Sequence, residues 1–182
     1  MVKLLLNLVV VFFVISCSEK NVEEVLNDKI QQSLILNEYA PKGVLLNESN
    51  EPSDWIELKN ISTNKILVDE NEWSITDDIN EPAKYYLPKM EVDAGKFIII
   101  WCDKGISTAE SLHSNFKLSG NGERIALFQN GNLVDQVIFD QDVKKGYSYG
   151  RGLQDKDIWM TFEEPTPGKP NALLDYYAKS LE

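Results

Sequence analysis

Ser53-Asp54-Trp55-Ile56-Glu57-Leu58-Lys59-Asn60 decides the fold. Ile56 and Leu58 alternate with Trp55, Glu57 and Lys59, so the stretch reads as a strand with one apolar face. Ser53, Asp54 and Asn60 supply turn chemistry at its ends. Working outward, the same pattern recurs. Leu34–Tyr39, Lys65–Val68, Trp73–Thr76, Tyr85–Leu87 and Phe97–Cys102 read as short strands, as do Tyr147–Arg151 and Ile158–Phe162. Phe97-Ile98-Ile99-Ile100-Trp101-Cys102 is the most apolar of them and reads as a central strand. Asp103–Ser114 reads as irregular. Arg124–Gln129 and Leu133–Phe139 flank Asn130-Gly131, a strong hairpin signal. About nine short strands at close spacing, with no long helix, predict an all-β antiparallel sandwich spanning 33–171.

Composition narrows the function classes. The chain has 182 residues, with 29 Asp and Glu against 18 Lys and Arg. A net charge of -11 with scattered cations argues against nucleic acid as a partner, because phosphates would be repelled. Lys3 followed by the apolar run Leu4–Ile15 is too short to span a bilayer and matches the core of a secretory signal. Val14-Ile15-Ser16-Cys17 resembles a bacterial lipobox, which implies cleavage after residue 16 and lipidation of Cys17. Such double acylation anchors a protein stably to a membrane. Ser18, in place of Asp, resembles the sorting signal for the outer membrane of a Gram-negative envelope. Residues 17–32 then read as a polar tether, and 172–182 as a short tail. Cys102 is the second of two cysteines and reads as a buried hydrophobe.

A set of motifs in order carries a family resemblance. They are Asn37-Glu38-Tyr39, Asp54–Leu58, Trp73–Asp78, Asp93-Ala94-Gly95, Leu112–Ser119, Gly122-Glu123, Ser148–Arg151 and Pro165–Gly168. Together they resemble the lamin-tail domain of bacterial secreted proteins. That resemblance implies an immunoglobulin-like sandwich serving as a binding or attachment module, with no reaction of its own. The chromatin roles of eukaryotic members do not carry over to an acidic chain with an export signal.

Site chemistry is sparse. The single histidine, His113, sits beside Ser111 and Ser114 and reads as structural, and Arg151 reads as a paired structural arginine. Glu38, Asp54, Glu57, Asp77 and Asp78 fall at strand ends or on adjoining strands. A calcium site would use Glu38, Glu57, Asp77 and Asp78, since hard oxygen ligands suit that ion. If Glu38 and Glu57 oppose each other across a ladder, they need a cation, Arg124 or Arg151, or distance. Trp55, on the face away from Ile56 and Leu58, is the candidate for stacking on a sugar. The functional expectation is a lipid-anchored, non-catalytic module of the bacterial envelope that binds a protein or polysaccharide. A metal-dependent, calcium-using hydrolase or accessory domain is the alternative.

Overall fold

The computed structural model describes residues 33–139, 143–153 and 155–171, and among these the chain forms twelve strands and no helix. The signal segment 1–16, Cys17, the tether 17–32 and the tail 172–182 lie outside the described residues. One sheet runs β12 (Trp159–Phe162), β11 (Ser148–Arg151), β1 (Leu34–Ala40), β2 (Trp55–Asn60), β7 (Phe97–Trp101) and β8 (Leu112–His113). A second runs β10 (Asn132–Phe139), β9 (Glu123–Gln129), β4 (Trp73–Thr76) and β5 (Tyr85–Tyr86). A small pair joins β3 (Ile66–Val68) to β6 (Met90–Val92).

The alternating apolar residues of both sheets meet in one core. Leu34, Leu36, Ile56, Leu58, Ile98 and Ile100 come from the first sheet; Trp73, Ile75, Ile125, Leu127, Val137 and Phe139 come from the second. The molecule is therefore the expected sandwich, and the Asn130-Gly131 hairpin forms between β9 and β10. Both turn residues have positive φ, 50° and 77°, the handedness that a two-residue hairpin needs and that glycine supplies without strain.

Three features differ from the sequence reading. There are twelve strands rather than about nine, because β6 and the two-residue β8 escape a pattern that needs several residues to show. β8 lies inside the segment read as irregular and pairs parallel to β7, so the fold is not wholly antiparallel. β7 is fifth of six strands rather than central.

A further difference concerns the outer face of the first sheet. Trp55, Glu57 and Lys59 do share the face opposite Ile56 and Leu58, yet Trp55 and Glu57 are fully buried. All of β1 is buried as well. The reason is a strap, Pro165–Asn171, that crosses this face. Asn171 donates to the carbonyls of Asn37 (3.0 Å) and Arg151 (2.9 Å). Gly150 lies directly beneath it, where a Cβ would come 2.4 Å from the Asn171 amide nitrogen.

A β-bulge sets which β1 residues reach that face. The β1–β2 register shifts between Leu36 and Glu38, leaving Asn37 as the extra residue. Leu36 and Tyr39 both enter the core, and Glu38 turns outward to stand opposite Glu57. Without the extra residue, Glu38 would point between the sheets and Tyr39 away from them.

A buried ion pair closes the other side of β1. The β1–β11 ladder pairs only Glu38 with Gly150 and Tyr39 with Tyr149, leaving Leu36 without a strand partner there. Asp135 Oδ2 accepts from the Leu36 N–H at 2.9 Å, and Arg151 Nε donates to the Leu36 carbonyl at 2.5 Å. The guanidinium also donates to both Asp135 oxygens at 2.7 Å and to the Lys156 carbonyl, and lies 4.7 Å over the Trp159 ring. Arg151 is thus the paired structural arginine expected.

Candidate functional site

Of the four carboxylates considered for calcium, the fold brings two together. Glu38 and Glu57 are directly opposed across β1–β2, and both are fully buried. Neither arginine answers the repulsion, since Arg124 bonds to Gln136 and Arg151 to Asp135. The strap supplies donors instead. Thr166 gives Glu38 its N–H at 3.0 Å and its hydroxyl at 2.8 Å, and the Ser148 hydroxyl adds a third bond at 2.5 Å. Glu57 accepts from the Asn37 amide at 2.7 Å and the Gly168 N–H at 2.5 Å. Burial pushes the Glu57 carboxyl up to about 7, only partly opposed by these two bonds, and the neighbouring Glu38 adds to the rise.

Asp77 and Asp78 are elsewhere, after β4 in the second sheet. Asp77 pairs with Lys84 Nζ at 2.6 Å. Asp78 Oδ1 accepts from the N–H and the side-chain amide of Asn80, at 2.9 and 3.1 Å, a local turn. Among the described residues no three His, Cys, Asp or Glu side chains converge to hold a metal. The four carboxylates therefore do not form the single calcium site the sequence suggested. Millimolar calcium and EDTA are expected to give the same melting midpoint. A rise of several degrees with calcium would show a site that this arrangement does not contain. Trp55 has no exposed surface, so stacking on a sugar from solvent is closed to it.

A groove lies instead where several connections meet at one end of the sandwich. Gly146 N–H to the Lys42 carbonyl ties the residues after β10 to the β1–β2 connection, Val143 N–H to the Gly120 carbonyl ties them to the residues before β9, and the Asn47 amide to Asp103 Oδ2 ties the β1–β2 connection to the β7–β8 connection. Loops gathered at a sandwich end are where such folds commonly recognise partners. The groove has a volume of about 450 Å³ and is lined by Asn47, Glu48, Pro52, Asp103, Ile106 and His113 among others. Ile106 is 87% exposed, and Leu46, which bridges to Pro52, is 54% exposed.

His113 lies at the back of this groove, buried, with both ring nitrogens against carboxylates. Nδ1 is 2.8 Å from Asp103 Oδ1, and Nε2 is 2.7 Å from Glu48 Oε1. Asp103 also accepts from Asn47 and from the Gly105 N–H. Burial alone would raise Asp103, but the bonds from His113, Gly105 and Asn47 together hold it below its ordinary value. Ser111 Oγ is 3.1 Å from Nε2, so Ser111, His113 and Asp103 have the spacing of a hydrolytic triad. The hydroxyl, however, donates to Glu48 Oε2 at 2.7 Å, and Glu48 already occupies the nitrogen that would act as base. The nearby N–H groups of Lys104, Gly105 and Ser111 bond to Ser114, Asp103 and Thr108. The cluster is a pin between two loops. Its histidine was legible as structural; Glu48 and Asp103 were not singled out, and Glu48 is 63 residues from Ser111 in the chain.

These observations define a class first: an all-β, immunoglobulin-like sandwich with its titratable clusters engaged in holding loops together. Comparison with family models makes this specific. The chain belongs to the lamin tail domain family, whose model matches residues 29–140. No match is found among curated proteins. β11, β12 and the strap follow the matched residues and complete the first sheet and its cover.

Proposed function

We propose that this protein is a lipid-anchored, non-catalytic interaction module outside the cytoplasm of a bacterium, held to the membrane through Cys17 and binding a protein or polysaccharide. In a Gram-negative envelope its place is the outer membrane or the cell surface. The observation that carries the reading is the loop-end groove. It combines exposed apolar residues with polar walls, while the one histidine in it is clamped from both sides. The interaction-type family supports the same reading, and the lipobox Val14-Ile15-Ser16-Cys17 supports the anchor. The acidic balance leaves nucleic acid outside the set of partners. The alternative, a calcium-dependent hydrolase or accessory domain, needs converging carboxylates, and the four candidates are split between the first sheet and the turn after β4 of the second.

Metabolic labelling with a clickable fatty acid is expected to mark the native chain and not Cys17→Ser, which is released from membranes or left unprocessed. Label that persists on Cys17→Ser would overturn the anchor. A photo-crosslinking residue at position 106, in intact cells, is expected to trap one discrete envelope component. Crosslinking only to bulk lipid or to nothing would overturn the groove as the contact surface.

A further inference from the structure

β7 has an open half-edge. The Asn60 N–H donates to the Lys96 carbonyl at 2.9 Å and the Cys102 N–H to the Asp54 carbonyl at 2.7 Å, so even-numbered residues along β7 turn their backbone groups to β2. The odd-numbered residues turn theirs the other way, as the Trp101 carbonyl does in accepting from Ser114 N–H at 2.7 Å. On that side β8 pairs only with Ile100 and Trp101. Among the described residues no strand lies beside Phe97–Ile99. The backbone groups of Phe97 and the N–H of Ile99 therefore face outward from the sheet, next to an existing ladder that fixes their direction.

This half-edge forms the floor of a groove of about 310 Å³. Met90 of β6 and Ala109 of the β7–β8 connection line it, above the core residues Val92 and Leu112. Open strand edges are usually blunted by charge, proline or cover, because they template pairing with another chain. Here the two walls do the protecting.

We propose that the open half of β7 takes an extended segment of a partner protein as an added strand, apolar at alternate residues and flanked by Lys or Arg. The proposal rests on the interaction-module reading and names its partner class. A row of amide and carbonyl groups is matched by another peptide backbone, whereas a sugar has no ladder to offer. Side chains at alternate positions of the segment would meet the apolar walls. The lining carries Glu91, Asp93 and Glu110 against Lys96, and Lys65 already pairs with Glu91 and Asp93, so one net negative charge, with Glu110 on the groove wall, is left to favour a cationic segment. That sign also disfavours the chain's own residues 18–32, which carry Glu19, Glu23, Glu24 and Asp28 against Lys20 and Lys29.

The test pans random linear peptides displayed on phage against the full mature chain, then measures amide exchange with one enriched synthetic peptide. Exchange at Phe97 and Ile99 is expected to slow about tenfold or more on binding. N-methylation of alternate peptide amides is expected to abolish binding, and methylation of the intervening ones to spare it. Ala109→Trp, which fills the groove, should also abolish binding while leaving the melting midpoint near that of the native chain. Failure to enrich any peptide overturns the proposal. Protection confined to the loop-end groove overturns it too, and leaves the broader interaction reading standing, which fails separately if no envelope component crosslinks. Amides already protected in the free chain, and exposed when 18–32 are removed, would assign the groove to the tether and overturn the partner.

Discussion

Arg151→Ala is expected to destabilise the domain by about 3–5 kcal/mol, the usual cost of removing one partner from a buried ion pair. The substitution strands Asp135, whose carboxylate is mostly buried, and takes a donor from the Leu36 carbonyl. It also removes the guanidinium from the Trp159 ring. A domain of this size has a total stability of about 5–15 kcal/mol, so the loss would put the variant near the edge of folding. Urea titration of the native chain, Arg151→Ala, Asp135→Leu and the double variant Arg151→Met/Asp135→Leu separates the contributions. The double variant should recover part of the loss, because no unpaired charge is left inside, while the Leu36 N–H and carbonyl keep no partner in it. A loss below about 1 kcal/mol for Arg151→Ala would mean that the pair behaves as an exposed one and does not hold β1.

The second large effect is a dependence on pH. The Glu57 carboxyl is raised from 4.5 to about 7 in the folded chain, chiefly by burial. Between those values the folded state binds more protons than the unfolded state, so stability must fall as pH rises. The contribution is complete below about 4.5 and lost as pH climbs through 7. Its size is about 3 kcal/mol, since each tenfold change in proton affinity is worth roughly 1.4 kcal/mol. Burial also raises Glu123 to about 7, which acts in the same direction. Asp103, held low, acts oppositely, but only in acid below its ordinary range. The urea midpoint should therefore be highest near pH 5 and decline toward pH 8. Glu57→Gln should flatten about half of that slope, the rest being carried by Glu123. A flat native profile over this interval, or an unchanged slope in Glu57→Gln, would show that Glu57 is ionised at neutrality and that the strap donors suffice for two charges.

Glu57 also shows how far local pattern can be read. Alternation around Ile56 and Leu58 places Glu57 and Trp55 on the opposite face, and that is correct. Whether that face meets water depends on Pro165–Asn171, more than a hundred residues later, with Asn171 bonding to Asn37 across 134 positions. The punctuation Pro165-Thr166-Pro167-Gly168 was visible, but not what it would lie across. Glu38 depends on a single extra residue in the ladder, and a bulge appears only once two strands are in register. The same limit applies to β8, two residues whose strand character comes from their parallel partner.

The sequence by itself determined the period-two strands, the Asn-Gly hairpin and the sandwich. Each rests on side-chain alternation or turn chemistry within a few neighbouring residues, which no distant contact needs to supply. Tertiary structure alone decided that Glu38 and Glu57 share a buried site, that Asp77 and Asp78 do not join them, and that Trp55 is sealed. It also decided that Glu48 and Asp103 clamp His113, and that half of β7 is left open. Those outcomes turn on which segment covers a face or an edge, and on donors brought together from far along the chain. Burial and hydrogen-bond partnership belong to the assembled molecule.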